Sequence, residues 1–160
     1  GKRMFGFGKK KEQTEKIQKP ELLEKKNIRL DCSPMAKDDV IRAVGQLLCD
    51  SGYVDEGYIE AMIKRELSFP TNIGNGIALP HGVEEAKKEI KHSGIAVMVF
   101  PEGTDWGTEK VNLVIGIAGV GEDHLEILAT IAEKMATPEA VEELIKGSAD
   151  DIYAAFTTKA

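Results

Sequence analysis

One histidine of the three in this chain stands where a nucleophile would be expected. His81 follows the apolar run 77–79 and a proline and precedes Gly82, which predicts an imidazole at the point where a short buried strand ends in a glycine turn. Ligand sites of α/β proteins gather at such strand ends. A neutral imidazole nitrogen is a nucleophile near pH 7 that can carry a phosphoryl group, and the N–H of Gly82 is free to face an anion. A lone histidine at a strand end also fits a purely structural role.

Two further side chains are candidates for binding an anion. His124 lies in the first turn of a helix predicted to begin at Asp123, on the face that is expected to meet the core. Arg65 lies at the border of the apolar stripe of another predicted helix, and a guanidinium is suited to clamping phosphate oxygens. Each has a structural interpretation as well, because His124 fits a helix start and Arg65 complements the helix dipole beside Glu66. The third histidine, His92, is expected to be solvated.

Several other chemistries lack their sequence motifs. The run 74–76 has no third glycine at the spacing of a dinucleotide fingerprint, and the chain has neither a Walker lysine motif nor a G-x-S-x-G elbow. No pair of histidines has the tight ligand spacing of zinc motifs. Cys32 and Cys49 are too few for a disulfide framework and are expected to be reduced, partly buried thiols. Nucleotide binding, a zinc site and a hydrolase with a serine nucleophile are therefore not favoured, and both a catalytic and a structural role of His81 stay open.

Length and composition predict one folded domain. The chain has 160 residues, of which 42% are apolar and 30% charged, as in ordinary globular proteins. Its longest apolar stretch, residues 111–121, falls short of the ~20 residues that a membrane helix needs. The beginning of the chain has no apolar core of a secretory signal, so we expect a cytoplasmic protein with no direct membrane insertion.

Charge is distributed unevenly along the chain. Residues 1–20 carry a net charge of +5, which leaves −11 of the total of −6 on residues 21–160. We interpret residues 1–26 as a basic flexible tail or linker and residues 27–160 as the folded domain. Proteins that bind nucleic acid concentrate cations on the folded body, so the acidic body argues against that role and fits a basic protein partner.

Short apolar runs alternate with amphipathic segments, a pattern typical of an α/β domain whose sheet is covered on both faces. Ser33 and Pro34 predict the start of the first long helix, and Asp55 is expected to cap the second. The helix predicted at 123–135 is expected to bury Leu125, Leu128, Ile131, Ala132 and Met135. The predicted strands are 27–30, 77–79, 95–100 and 111–120; the helices are 35–50, 55–67, 83–91, 123–135, 138–146 and 149–156; a loop is expected at 71–76 and a turn at 101–103.

The segment Gly74-Asn75-Gly76-Ile77-Ala78-Leu79-Pro80-His81-Gly82 closely resembles the phosphorylation-site segment of enzyme IIA domains of the mannitol/fructose class in the sugar phosphotransferase system. Segments 58–66, 101–107 and 114–118 and the pair His124-Leu125 resemble other parts of these domains, in the same order and spacing. The resemblance covers about residues 27–157. Gly52-Tyr53-Val54 and Pro101-Glu102-Gly103 are more similar to mannitol-type members than to fructose-type or nitrogen-regulatory ones.

The resemblance implies a single α/β domain with a mixed β-sheet flanked by helices on both faces, and a phosphotransferase activity with a phosphohistidine intermediate. His81 would accept a phosphoryl group from the histidine-containing phosphocarrier protein and pass it to a cysteine of mannitol-type enzyme IIB, on the membrane permease. His124 and Arg65 would stabilise the transferred charge. Asn75, where some mannitol-type members carry an acidic residue, and Gly82 would support phosphate binding. The family requires no cofactor, metal or nucleotide.

One expectation extends this interpretation, and two hypotheses compete with it. Transient docking of the partners predicts an apolar rim around His81, with Ile77 or Leu79 as contributors. The alternative function is that of a regulatory phosphoprotein with the same fold, in which phosphorylated His81 controls a partner and no sugar is modified. A metal-dependent hydrolase is a third and weaker hypothesis.

Overall fold

A computed structural model describes residues 21–157 of the chain. Five strands form one mixed sheet in the order β1-β4-β5-β3-β2. The strands are β1 Ile28–Arg29, β2 Asn72–Gly74, β3 Ile77–Ala78, β4 Gly94–Asp105 and β5 Lys110–Ala118. The helices are α1 Lys37–Asp50, α2 Gly57–Ser68, α3 Asp123–Lys134, α4 Pro138–Lys146 and α5 Ala149–Thr157, and two 3₁₀ helices span Lys25–Asn27 and Glu84–Glu89.

The two faces of the sheet carry separate apolar clusters because successive side chains of a strand point to opposite faces. One cluster joins the sheet to α1 and α2, and the other joins it to α3, α4 and α5. In β4 the first cluster contains Ala96, Met98 and Phe100, and the second contains Ile95, Val97 and Val99. The predicted α/β domain, with a mixed sheet flanked by helices on both faces, is confirmed.

The direction of the strands decides where a site can form. Strand β3 runs parallel to β5, whereas β4 runs antiparallel to β5. An additional bridge joins His81 to Ile117, beyond the end of β3 proper. The carboxyl ends of β3 and β5 therefore reach the same edge of the sheet, and the segments that follow them meet there.

Both predicted helix starts lie too early. α1 begins at Lys37 because the preceding segment is tied to β4: the N–H of Met35 donates to Thr104 Oγ1 at 2.9 Å, and that hydroxyl donates back to the Met35 carbonyl at 2.7 Å. α2 begins at Gly57, after Asp55, and no side chain caps it. A pair of tertiary hydrogen bonds thus fixes the segment that enters α1, and Asp55 does not cap α2.

The predicted loop and turn also differ from the structure. Residues 72–74 of the expected loop form β2, an edge strand antiparallel to β3. The expected turn at 101–103 lies inside β4, where the register against β5 shifts between Val99 and Thr104. Gly103 adopts a φ of 82° there, which allows the irregularity without reversing the chain. The reversal comes later, where the N–H of Trp106 donates to the Glu109 carbonyl at 2.9 Å.

The folded domain begins before the boundary expected after residue 26. The Leu22 carbonyl accepts a hydrogen bond from the N–H of Ile95 at 2.8 Å, and the Leu23 side chain is fully buried in the cluster under α3, α4 and α5. Residues 21–26 are thus part of the domain, because this pair of leucines supplies core contacts. The remainder of the expected tail, residues 1–20, lies outside the described residues.

The buried face of α3 is rotated from the expected one. Ile127, Ile131 and Met135 are buried, whereas Leu125 is 67% exposed and Ala132 is also exposed. The buried positions recur every four residues, so the helix needs only a narrow apolar stripe.

Within residues 21–157, no helix combines the length and the apolar character needed to cross a membrane.

Candidate active site

His81 is half-buried at the carboxyl edge of the sheet, and main-chain hydrogen bonds fix its position. The N–H of Ile117 donates to the Pro80 carbonyl at 2.9 Å. The ring nitrogen Nδ1 lies 2.8 Å from the carbonyl oxygen of Leu79. Because a carbonyl only accepts, Nδ1 carries the proton of the neutral ring and Nε2 keeps its lone pair. The backbone therefore leaves Nε2 as the ring nitrogen that could act as a nucleophile.

The surroundings keep this imidazole neutral near pH 7. Burial lowers the pKa of His81 from its ordinary value of 6.5, and the positive charges of Arg65 and Lys87 lower it further. The hydrogen bond to Leu79 and the charge of Glu66 act in the opposite direction. An unprotonated ring is the form that can attack phosphorus.

Tyr58 holds the turn after His81 in place. Its buried hydroxyl donates to the Ile117 carbonyl at 2.9 Å and accepts from the N–H of Gly82 at 2.9 Å. A Cβ on residue 82 would lie 2.6 Å from Tyr58 Cε1, so the ring requires glycine at this position. The expectation that the Gly82 N–H is free for phosphate is wrong, because that donor is already bonded to Tyr58. Burial raises the pKa of Tyr58, so the phenol keeps its proton.

His124 approaches His81 from the first turn of α3. The centroids of the two rings are 5.5 Å apart, with an angle of 57° between the planes. Gly119 permits this approach, since a Cβ there would lie 2.6 Å from His124 Cα. Burial lowers the pKa of His124, and the charges of His81 and Lys87 lower it further. The second imidazole is therefore also neutral near pH 7 and can offer a hydrogen bond to an anion.

Arg65 reaches the same place from the last turn of α2. Its Nη1 donates to the carbonyl of Phe69, just beyond the helix, at 2.6 Å. A guanidinium has five N–H donors in a fixed fork, so this single bond orients the group and leaves donors for an anion. Its neighbour Glu66 points the other way and is buried, where it accepts hydrogen bonds from Thr71 and Trp106.

These side chains surround a cavity of about 220 Å³, which we call the histidine cavity. It is lined by Tyr58, Arg65, His81, Gly82, Glu84, Lys87, Ile90, Gly119 and His124. The structure thus brings together His81, His124, Arg65 and Gly82, as expected from the sequence. The lining contains two cationic side chains and two imidazoles but a single carboxylate, so the cavity is suited to an anion.

Sequence reasoning missed five residues of this cavity, namely Tyr58, Glu84, Lys87, Ile90 and Gly119. Tyr58 resembled an ordinary core residue of α2, and only its hydroxyl distinguished it. Gly119 directly follows an apolar strand, a signal for close backbone approach. Lys87 and Glu84 belong to a charged segment that was expected to be a helix and forms the shorter 3₁₀ helix Glu84–Glu89.

Asn75 is not brought to the histidine cavity. It is exposed, has a φ of 55°, and forms the turn that enters β3, at the opposite end of that strand from His81. There it lines a separate cavity of about 690 Å³ together with Asn112 and residues of α4. An extended chain rises about 3.3 Å per residue, which places Asn75 roughly 15–20 Å from His81. This geometry gives no support to the expected role of Asn75 in phosphate binding.

The apolar residues near the site also differ from those expected. Ile77 and Leu79 are 2% and 7% exposed, because β3 lies between two strands and is covered on both faces. They cannot contribute to a rim. Exposed apolar side chains next to site residues are instead Val120 after Gly119, Leu125 after His124, and Phe69, whose carbonyl holds Arg65.

Within the described residues, no group of three His, Cys, Asp or Glu side chains is arranged to hold a metal ion.

A neutral, backbone-oriented imidazole beside a guanidinium, an ammonium and a second imidazole defines a site of the phosphohistidine class. Residues 21–159 match the sequence model of the family described as phosphoenolpyruvate-dependent sugar phosphotransferase system, EIIA 2. The chain belongs to this family.

Individual relatives agree with this assignment. The mannitol-specific phosphotransferase enzyme IIA component of Bacillus subtilis strain 168 is 44% identical over 138 residues, which cover 85% of this chain and 96% of the relative. The crystal structure of IIA mannitol from Escherichia coli has a TM-score of 0.76 and 32% identity, and covers 83% of this chain and 97% of its own. The complex of enzyme IIA and phosphorylated enzyme IIB for mannitol from Escherichia coli has a TM-score of 0.79 and 30% identity, covering 86% and 100%.

These comparisons confirm the predicted family and its mannitol type. They also confirm the predicted role of a phosphoryl carrier that acts as a phosphotransferase of the sugar phosphotransferase system. The regulatory alternative is not favoured.

Proposed function

We propose that Nε2 of His81 takes a phosphoryl group from the histidine-containing phosphocarrier protein and passes it to the cysteine of a mannitol-type enzyme IIB. The observation that carries the proposal is the 2.8 Å contact between His81 Nδ1 and the Leu79 carbonyl, which leaves Nε2 unprotonated. In the first step the N–P bond of the carrier breaks as a bond from Nε2 to phosphorus forms. In the second step this bond breaks as the cysteine thiolate attacks the same phosphorus.

Arg65 and His124 stabilise the negative charge of the phosphoryl group during its transfer. Phosphoryl transfer needs little covalent help from a protein, so prearranged donors and positive charge supply most of the catalysis. Arg65 is oriented by its bond to the Phe69 carbonyl, and His124 is held by its place on the first turn of α3. Both groups stand ready before the phosphoryl group arrives, which spares the cost of reorganisation.

The partners follow from charge and from the relatives. Residues 21–160 carry a net charge of −11, which accelerates encounters with a basic carrier while leaving the complex short-lived. The mannitol enzyme IIB is proposed because the Escherichia coli relative is structurally known in complex with its phosphorylated form. This exchange is placed in the cytoplasm, where the permease would present its IIB domain, with neither nucleic acid nor membrane insertion involved.

A reconstituted relay tests the proposal. The purified chain is incubated with ³²P-labelled phosphocarrier, and mannitol enzyme IIB is then added. We expect label first on His81, in acid-labile form, and then on the IIB cysteine. Two-dimensional NMR of the phosphorylated ring should show phosphorus on Nε2. Label that remains on His81 in the presence of IIB would support the regulatory alternative, and label on Nδ1 would contradict the proposed geometry.

A further inference from the structure

The 3₁₀ helix Glu84–Glu89 forms one wall of the histidine cavity and contributes two opposite charges to it. Lys87 and Glu84 both line the cavity. Lys87 Nζ lies 3.7 Å from Glu84 Oε2, and the two side chains are 38% and 81% exposed. Charge-assisted hydrogen bonds are about 2.7–2.9 Å long, so this contact is a loose pairing that a better anion would replace.

The charge of Lys87 is felt at both imidazoles. It lowers the pKa of His81 and that of His124, although the two rings come from different elements. Glu84 raises the pKa of His124 in opposition. The ammonium therefore stands close enough to act on a group placed between the two rings.

Without Lys87, the histidine cavity has fewer positive charges than a phosphoryl group has negative charges. A phosphate ester carries roughly two negative charges near pH 7. His124 is neutral before the group arrives, and one N–H of Arg65 is bonded to the Phe69 carbonyl. Lys87 is the other cation lining the cavity.

We propose that Lys87 is a further counter-ion of the transferred phosphoryl group and that Glu84 pairs loosely with it in the unphosphorylated protein. When His81 is phosphorylated, the ammonium leaves the Glu84 carboxylate for the phosphoryl oxygens; when the group departs, the pair forms again. Glu84 competes for the same cation and so keeps the phosphorylated state from becoming too stable to donate. This inference rests on the proposed acceptance of phosphate by His81.

The 3₁₀ helix supplies its own matched controls. Lys88 and Glu85 are exposed neighbours that do not line the cavity. Lys87→Gln and Lys88→Gln change the net charge equally, as do Glu84→Gln and Glu85→Gln. Long-range attraction of the partner therefore changes equally within each pair. A difference between the two variants of a pair then measures the effect of the charge that lines the cavity.

The test measures the equilibrium of the phosphoryl group between the carrier and this protein. We expect Lys87→Gln to shift it about tenfold toward the carrier, as loss of one charge-assisted hydrogen bond predicts. Glu84→Gln should shift it toward this protein, and the control variants should stay near the wild type. Lys87→Arg should restore much of the equilibrium because it keeps the charge.

A second readout separates a counter-ion from a merely structural residue. NMR titration of the unphosphorylated protein should give a higher pKa for both His81 and His124 in Lys87→Gln, and unchanged values in Lys88→Gln. Equal behaviour of Lys87→Gln and Lys88→Gln in both measurements would overturn the inference while leaving the proposed function intact. Label that survives in His81→Ala would instead overturn the proposed function. Should Lys87→Gln fail to fold, the contrast between Glu84→Gln and Glu85→Gln decides in the same way.

Discussion

The two ends of strand β3 carry cavities of opposite character. At its carboxyl end the histidine cavity measures about 220 Å³ and gathers His81, His124 and Arg65. At its amino end the cavity lined by Asn75 is larger, about 690 Å³. Its charged residues include Lys146 and Glu142, which neutralise each other at 2.9 Å on one helix face. Volume therefore does not mark the site; donors and cations that converge on a nucleophile do.

The direction of the chain explains this difference. β3 and β5 are parallel, so the segments after both strands deliver His81 and His124 to one edge. At the other end the chain enters β3 through a tight turn in which Asn75 adopts a φ of 55°, a conformation that asparagine tolerates well. Asparagine at this position serves the turn.

The largest expected effect is the loss of phosphate acceptance in His81→Ala, because no other group in the histidine cavity has the same oriented lone pair. Mass spectrometry and acid-labile ³²P label after reaction with the phosphocarrier measure it. His92→Ala is the matched control, since His92 is exposed and lies outside the cavity. Label retained in His81→Ala would show that the carboxyl end of β3 does not carry the residue that accepts phosphate, and the two ends of the strand would then not differ in this respect.

Arg65→Ala and His124→Ala should each leave a folded protein that transfers phosphate about 10²-fold more slowly, since removing one prearranged donor typically costs this much. Rapid-quench kinetics with the phosphocarrier gives the rate, and circular dichroism verifies the fold. Lys64→Ala, at an exposed position next to Arg65, is the control for lost positive charge. A rate equal to that of the control would exclude the residue from the site.

A smaller effect is expected from pH. Burial lowers the pKa of His81 and of His124 below 6.5, so one pH unit below the folded pKa of His81 acceptance should be about tenfold slower. The unfolded chain binds these protons more tightly than the folded protein does. The free energy of unfolding therefore falls as the pH decreases from 6.5 through the lower folded pKa values, and the two groups add no pH dependence above that window.

NMR titration of the imidazole protons and urea unfolding at several pH values measure these two effects. A folded pKa at or above 6.5 for His81 would contradict the burial argument. A free energy of unfolding that rises on acidification through this window would contradict the sign.

The smallest effect should come from the other end of β3. Asn75→Gly suits a residue with positive φ and is expected to leave the transfer rate within about twofold of the wild type. The same rapid-quench assay applies, with Arg65→Ala as the positive comparison. A substantial loss of rate in Asn75→Gly would show that the amino end of β3 takes part in transfer after all.

Most of the site was predictable because its signals are local. An apolar run, a proline, His81 and a glycine specify a strand that ends at a histidine. The apolar period of α2 places Arg65 at the edge of its buried stripe, and the start of α3 places His124 on the inner side. The family resemblance joins these segments, and the structure places all three residues around one cavity.

The remaining features depended on contacts between residues far apart in the chain. Hydrogen bonding to Tyr58 removed the Gly82 N–H from the list of free donors. Coverage of β3 by its neighbours buried Ile77 and Leu79, and contact with Ile95 drew Leu22 into the domain. None of these follows from periodicity, which reports only whether a segment has an apolar face.

The sequence by itself predicted most of the elements, the nucleophile and the two residues expected to assist it, because strand and helix preferences act over a few neighbouring residues and the family resemblance joins the segments. Only the tertiary structure decided that Nε2 is the free nitrogen, that Lys87 and Glu84 share the cavity, and that Asn75 does not. Those outcomes depend on strand order, on the close approach that Gly119 allows, and on which carbonyl each donor meets. Such contacts are settled by packing across the sheet and are not encoded in any single stretch of residues.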